Sequence, residues 1–263
     1  MLVDDLMGRL DVLPLNELIA HEQTIEKNLK DLKEVMLNIG RLVDPLIVDK
    51  RTKIVLDGMH RRRVLELLEC VNVPCQVVDY GDKSITIGGW FIAMKETPRW
   101  LAELKGEEVD YEQGIGELNN MNAYFMLVKK EGSVKKCRMF NSDKKNLREN
   151  MAEQNTIISR LGDKDASFVS DDRVDELLDK GFSMLVRRVF TKKDVVSEAL
   201  AGRPFPPKST RHMIPERIIR LNIPLGWLSE DREVIRRLMG DMIKRRAIEG
   251  FVRRYTEPVL VIY

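Results

Sequence analysis

The stretch that decides the fold is residues 54–69, which read IVLDGMHRRRVLELLE. Its apolar start predicts a short strand, which Asp57-Gly58 ends, and the segment from Met59 to about Glu69 predicts a helix. Residues 45–48 predict a strand that pairs with it as a hairpin, and residues 73–80 predict another strand. The organisation around this stretch is therefore strand, tight turn, helix, strand.

The residues of the turn suit an anion. Gly58 lets the backbone approach a ligand closely, and the first N–H groups of a helix lack partners within the helix. With the helix dipole they form an anion site, which Arg61 can reinforce with a forked contact. Asp57, at the strand end, could hold Mg²⁺ or position a hydroxyl group. The alternative is an ordinary turn followed by a basic helical face.

A second polar pair, His21-Glu22, precedes an amphipathic segment. Apolar residues recur there at intervals of four and three, which predicts a helix from about residue 25 to 39. Thr24 is the expected N-cap and Gly40 the expected stop. Glu22 is either a helix-dipole partner or a general base able to accept a proton from a substrate hydroxyl.

A third polar segment, residues 209–212 (STRH), follows the sharp Gly- and Pro-rich break at 202–207. In an extended segment Thr210 and His212 would point the same way and could hydrogen-bond a small polar substrate, while Arg211 could face an anion. The alternative is a solvated loop. Trp90, after two glycines, is either a core residue or a wall of the substrate pocket.

The bulk composition limits the class of protein. The 263 residues suffice for one large or two small domains, and 43% of them are hydrophobic. Lys and Arg number 44 against 42 Asp and Glu, so the formal charge is +2 and nucleic acid is an unlikely partner. The three cysteines have no metal-ligand spacing. We find neither a signal peptide nor an apolar run of about 20 residues, and expect a cytoplasmic protein without membrane contact.

Motifs of the common nucleotide and hydrolase folds are missing. The sequence has no G-x-x-x-x-G-K-[ST] loop, no G-x-G-x-x-G, no H-E-x-x-H and no nucleophile elbow. These folds are therefore poor candidates.

Taken together, the motifs resemble the ParB/sulfiredoxin-like superfamily, and within it the free serine kinase family, which includes archaeal and siderophore-pathway members. The resemblance rests on His21-Glu22, on residues 45–49 and on residues 55–61. It continues through residues 205–212 (FPPKSTRH) and Tyr255-Thr256-Glu257, and is weakest across about 105–200. Met59 stands where a relative often has a second histidine.

The resemblance implies transfer of the terminal phosphoryl group of ADP or ATP to the hydroxyl of free L-serine, giving O-phospho-L-serine, with Mg²⁺. It implies a role for eight residues: Glu22 and Asp57 in catalysis, Asp57 also at the metal, Gly58, His60 and Arg61 at the nucleotide phosphates, and Trp90, Thr210 and His212 at the substrate. To the phosphate site we add Met59, through its backbone, and Arg211.

The fold expected from this is α/β, with two lobes and an active-site cleft between them. We predict a ParB/sulfiredoxin-like lobe over residues 1–108, a smaller lobe of mixed but mostly helical structure over 109–203, and a C-terminal segment, 204–263, that returns to the cleft with a substrate-binding loop. The main alternative is a ParB-like nucleotide-dependent DNA-binding or regulatory protein. Sulfiredoxin chemistry needs a cysteine thiolate where Met59 stands, so we discard it. A kinase for another small hydroxyl compound stays open.

Overall fold

The computed structural model describes residues 2–143, 146–162, 166–254 and 259–262, and the predicted match at Tyr255-Thr256-Glu257 lies outside them. The chain divides into two compact units. Unit 1 comprises Met1–Thr86, Thr191–Pro207 and His212–Tyr263, and unit 2 comprises Ile87–Phe190 and Lys208–Arg211.

The helices of the described residues are α1 (Leu2–Arg9), α2 (Glu26–Ile39), α3 (Met59–Leu67), α4 (Arg99–Ala102), α5 (Tyr111–Asn119), α6 (Leu147–Leu161), α7 (Val174–Asp179), α8 (Lys192–Leu200) and α9 (Arg232–Ile248). The strands are β1 (Leu10–Pro14), β2 (Ile19–Ala20), β3 (Arg41–Leu42), β4 (Leu46–Asp49), β5 (Ile54–Asp57), β6 (Asn72–Val78), β7 (Thr86–Gly88), β8 (Trp90–Met94), β9 (Glu107–Val109), β10 (Ala123–Glu131), β11 (Val134–Asn141), β12 (Ser167–Ser170), β13 (Ser183–Val186), β14 (Arg211–Met213), β15 (Arg217–Ile219), β16 (Ile223–Pro224), β17 (Val252–Arg254) and β18 (Val259–Ile262).

Unit 1 is built on a five-stranded mixed sheet with the order β1-β6-β4-β5-β2. Strands β4 and β5 pair antiparallel, which confirms the predicted hairpin, and β4 runs parallel to β6. The predicted order of strand, turn, helix, strand is thus present as β5, α3 and β6. Strand β5 is apolar and buried up to Leu56, so Asp57 is the first polar side chain at its carboxyl end.

The helix predicted from residue 25 to 39 is α2. Gly40 ends it in the left-handed conformation, with φ 68°, and its N–H bonds the carbonyl of Met36, as the sequence predicted. The predicted N-cap is wrong: Ile25, not Thr24, occupies that position, and it has no side-chain cap of its own. The N–H of Ile25 is bonded by His60, as described below.

Unit 2 is built on a six-stranded antiparallel sheet with the order β12-β8-β13-β10-β11-β9. Successive residues of β8 enter different cores, since Phe91 and Ala93 pack on one face and Ile92 and Met94 on the other. The first core includes residues of α5 and α7, and the second includes Leu161 of α6. Both faces of this sheet are therefore covered by helices.

The predicted lobes differ from these units. Residues 109–203 were expected to be mostly helical, but five of the six strands of the unit 2 sheet lie in or next to that range, and β8, at residues 90–94, is the sixth. Strand β13 is buried along its whole length, so it lacks the polar alternation of a half-exposed strand, which explains why the sequence did not predict it. Residues 87–108 belong to unit 2 because β8 pairs with β12 and β13.

No helix of the described residues is long and apolar enough to cross a membrane.

Candidate active site

The turn after β5 requires glycine. Gly58 has φ 95° and is the N-cap of α3. A Cβ atom there would lie 2.7 Å from Leu46 Cδ2 and 3.0 Å from Arg61 Nη2. Glycine therefore gives both the left-handed conformation and the space through which Arg61 folds back over the turn. Met59 begins the helix, and its side chain packs on the apolar core. Met59 can therefore bind an anion only through its backbone N–H.

Asp57 is held by two arginines, one at each carboxylate oxygen. Arg61 Nη2 lies 2.6 Å from Oδ2, and Arg217 Nη2 lies 3.1 Å from Oδ1. Arg61 also donates from Nη1 to the carbonyls of Asp44 and Pro45, at 2.8 Å each. Its guanidinium thus ties the turn to the start of the hairpin. Its binding of a nucleotide phosphate stays a prediction.

Glu22 is fixed by its backbone. It forms an isolated parallel bridge with Phe205, in which Phe205 donates its N–H to the His21 carbonyl and Gln23 donates to the Phe205 carbonyl, both at 2.8 Å. Phe205 is fully buried. Because α2 begins only at Glu26, Glu22 lies outside the first helical turn, and the interpretation of Glu22 as a helix-dipole partner loses its basis. The Pro-rich break thus positions the candidate base.

His60 accepts a hydrogen bond at the start of the neighbouring helix α2. Its Nε2 accepts the backbone N–H of Ile25, the N-cap of α2, at 3.1 Å. That nitrogen therefore carries no proton. The predicted contact of His60 with a nucleotide phosphate stays untested, and the contact seen here links the two helices beside the turn.

His21 and His212 form a buried pair beside β5. His21 Nδ1 lies 2.5 Å from the Val55 carbonyl, so this nitrogen carries the proton. The two imidazole rings meet edge to face at 5.0 Å, and the Tyr80 hydroxyl lies 2.7 Å from His212 Nε2. Burial lowers the pKa of His21, although Glu22 and Asp57 both act to raise it. Burial, and then the nearby His21, hold the pKa of His212 well below its usual range.

These pKa shifts predict an acid-sensitive unit. Both histidines are neutral in the folded chain, whereas in the unfolded chain they take up protons near pH 6.5. The stability they contribute is complete above that pH and is lost as the pH falls below it, by up to ~1.4 kcal/mol per pH unit for each histidine. Urea unfolding at pH 7.5, 6.5 and 5.5 should show this slope, and His212→Gln should reduce it. An unchanged slope in that variant would contradict the assignment.

The predicted substrate residues Trp90 and Thr210 both lie in unit 2 and contact each other. Trp90 Nε1 donates to the Thr210 carbonyl at 2.9 Å, and Lys208 Nζ lies 4.6 Å from the centre of the indole ring. Ser209 and Thr210 are buried, so the interpretation of this segment as a solvated loop is wrong. Substrate binding by Trp90 and Thr210 stays a prediction.

Arg211 pairs with carboxylates of unit 2. Its Nη1 lies 3.0 Å from Asp172 and 3.9 Å from Asp171. These two carboxylates, which belong to the same unit, would therefore compete with a nucleotide phosphate for the guanidinium of Arg211, whose contact with phosphates stays a prediction. Sequence reasoning missed Arg217 and Tyr80, because each stands alone in the sequence and only the tertiary structure brings it to the site.

The donor set at Asp57 restricts the metal. Among the described residues no group of three or more His, Cys, Asp and Glu could hold an ion. A single carboxylate still fits Mg²⁺, which is usually held by one or two carboxylates together with substrate phosphates and water. The residues present therefore fit an ion that arrives with a nucleotide rather than a permanent metal centre.

Comparison with known proteins gives relatives over most of the chain. No family model matches. The ATP-dependent L-serine kinase of Staphylothermus marinus is 26% identical over 237 residues, with 82% of this chain and 90% of that protein covered. The ADP-dependent L-serine kinase SerK of Thermococcus kodakarensis is 23% identical, with 82% and 91% covered. A solved free serine kinase in complex with AMP superposes with a TM-score of 0.67 at 19% identity, over 84% of this chain and 93% of that chain.

Proposed function

We propose that this chain, which belongs to the free serine kinase family of ParB/sulfiredoxin-like proteins, phosphorylates free L-serine with a nucleoside di- or triphosphate as donor. The observation that carries the proposal is the parallel pairing of β2 with β5, in which Ala20 lies opposite Val55, so that Glu22 and Asp57 each follow two residues further along at the same edge of the sheet. His21 Nδ1 lies 2.5 Å from the Val55 carbonyl and links the two strand ends. A candidate base and the anion-binding turn therefore lie on the same side of unit 1.

Glu22 is the proposed general base. It takes the proton from serine Oγ as that oxygen attacks the terminal phosphorus of the nucleotide. The new Oγ–P bond forms while the bond to the bridging oxygen breaks, and the bridging oxygen leaves with its electron pair on the nucleotide. The products are O-phospho-L-serine and the nucleotide shortened by one phosphoryl group.

The turn supplies the positive field for this transfer. The first N–H groups of α3 and the dipole of the helix stabilise negative charge on the transferring phosphoryl group. Asp57 is the residue that would hold Mg²⁺, whose chemistry is to neutralise charge on the phosphate oxygens. Gly58, Met59, His60 and Arg61 place the backbone donors, and Arg61 keeps Asp57 at the mouth of the turn through its clamp on Asp44 and Pro45.

Serine recognition is assigned to Trp90, Thr210 and His212. In unit 1, His212 is neutral, so any contact it makes with serine is a hydrogen bond rather than an ion pair, and it exchanges for the bond between its Nε2 and the Tyr80 hydroxyl. In unit 2, the indole N–H of Trp90 is already bonded to the Thr210 carbonyl and Lys208 Nζ lies 4.6 Å from the ring centre, which leaves the opposite face of the ring for a ligand.

Incubation with serine and either donor tests the proposal directly. Purified protein, Mg²⁺, L-serine and ADP or ATP should give O-phospho-L-serine, detected by mass spectrometry, and EDTA should abolish the product. L-Threonine and D-serine serve as acceptor controls. Absence of phosphoserine with both donors over a range of temperatures would refute the kinase assignment.

A DNA-binding role has little support in unit 1. The basic segment that begins α8 uses Lys192 to bind two carbonyls, those of Tyr80 at 2.9 Å and Asp82 at 2.6 Å. An ammonium group used in this way holds a loop rather than a DNA phosphate. A gel shift at low salt would show any residual affinity for DNA.

A further inference from the structure

Arg217 differs from Arg61 in how firmly its guanidinium is held. Arg61 bonds two carbonyls as well as Asp57, and its side chain is 19% exposed. Arg217 is 37% exposed, and within the described part of the chain Asp57 is its sole ion-pair partner. An exposed pair of this kind is worth little in stability, so the guanidinium can leave Asp57 at small cost.

The backbone of Arg217 is fixed, whereas its side chain is not. The buried amide of Gln76 donates to the Glu216 carbonyl at 2.7 Å and accepts the Ile218 N–H at 2.9 Å, so it binds the residues on both sides of Arg217. Ile218 is buried in the core of unit 1. A rigid strand thus carries a long cationic side chain whose tip alone is movable.

The tip of Arg217 lies among the candidate catalytic groups. It contacts Oδ1 of Asp57 at the mouth of the anion-binding turn, and its charge acts on the imidazole of His212. Arg211, the arginine expected at the phosphates from the sequence, is instead paired with Asp172 in unit 2. Arg217 is therefore a cation of unit 1 that lies near the turn and can exchange one anion for another.

We propose that Arg217 binds the phosphoryl group that is transferred: it rests on Asp57 before the nucleotide arrives and moves to the terminal phosphate oxygens when the donor binds. The proposal rests on the proposed kinase function and adds a residue to it. A guanidinium matches phosphate through two parallel N–H bonds, and it stabilises the charge on the group in transfer. Arg217 would then favour the donor over the shorter nucleotide that remains as product.

Substitution of Arg217 tests this with two measurements. R217M should lower kcat about 100-fold and weaken binding of the donor, whichever of ADP and ATP supports turnover, about tenfold by calorimetry. Its affinity for the nucleotide one phosphoryl group shorter should change less than twofold. R217K keeps the positive charge but lacks the two parallel N–H donors of a guanidinium. Its kcat and its affinity for the donor should therefore lie between those of R217M and wild type.

R236M is the matched control. Arg236 forms an ion pair with Asp11 in the same unit and is 34% exposed, but Asp11 lies on β1, three strands from β5 and so about 14 Å away. R236M should keep wild-type kcat and nucleotide affinities. Wild-type kcat and donor affinity in R217M would overturn the proposal, and so would an equal loss of affinity for donor and shorter nucleotide. If wild-type protein makes no phosphoserine, the kinase function fails, and calorimetry with ATP, ADP and AMP still decides whether Arg217 reads the terminal phosphate.

Discussion

Glu22→Gln should lose roughly 10²–10⁴ in kcat for phosphoserine formation, the usual contribution of a general base. The amide keeps the size and much of the hydrogen bonding of the carboxylate but cannot accept the serine proton. The fold should be intact, because Glu22 is positioned by backbone hydrogen bonds between His21, Gln23 and Phe205, which the substitution does not touch. Steady-state kinetics with saturating serine and donor give the measurement.

Glu26→Gln is the control for this variant. Glu26 is the acidic residue in the first turn of α2, where a carboxylate acts on the helix dipole, and its side chain is exposed. The Glu26→Gln variant should retain wild-type turnover. If Glu22→Gln keeps most of its activity, Glu22 is not the base, and the role of the His21-Glu22 pair is structural.

Asp57→Asn should lower kcat by about 10³-fold, equivalent to about 4 kcal/mol of lost charge stabilisation. The amide carries no charge toward Mg²⁺, and its NH₂ group must face one of the two guanidiniums that Asp57 now accepts from, Arg61 or Arg217. The Mg²⁺ concentration at half-maximal rate should rise at least tenfold. A titration of Mg²⁺ at saturating donor measures both effects.

Asp11→Asn controls for the loss of a carboxylate between two arginines. Asp11 accepts from Arg232 and Arg236 in unit 1 and is 31% exposed, against 35% for Asp57. Asp11 resembles Asp57 in having two arginine partners, but it lies on β1 and so is remote from the turn after β5. Asp11→Asn should keep wild-type kcat and Mg²⁺ dependence. Equal losses in the two variants would mean that Asp57 stabilises unit 1 and does not act on the phosphates.

The sequence by itself determined the local features of the site. Residues 54–69 predicted the strand, the turn and the helix, since each depends on neighbours a few residues apart: apolar residues in β5, a glycine for positive φ and the periodicity of α3. Gly40 predicted the end of α2 for the same reason. The sequence of the helix start was less informative, because the N–H of Ile25 is bonded by His60, 35 residues away.

Only the tertiary structure decided which distant groups surround the turn. Arg217 and Tyr80 have no motif around them, and they reach Asp57 and His212 because a sheet register and a buried Gln76 place their backbones. Strand β13 was hidden in a region expected to be mostly helical, because it is buried along its whole length and so lacks the alternation that marks a half-exposed strand in sequence. Arg211 and Arg217 lie only six residues apart in sequence, yet Arg211 pairs with Asp172 and Arg217 pairs with Asp57. Tertiary packing sets these partners, and no local sequence pattern encodes them.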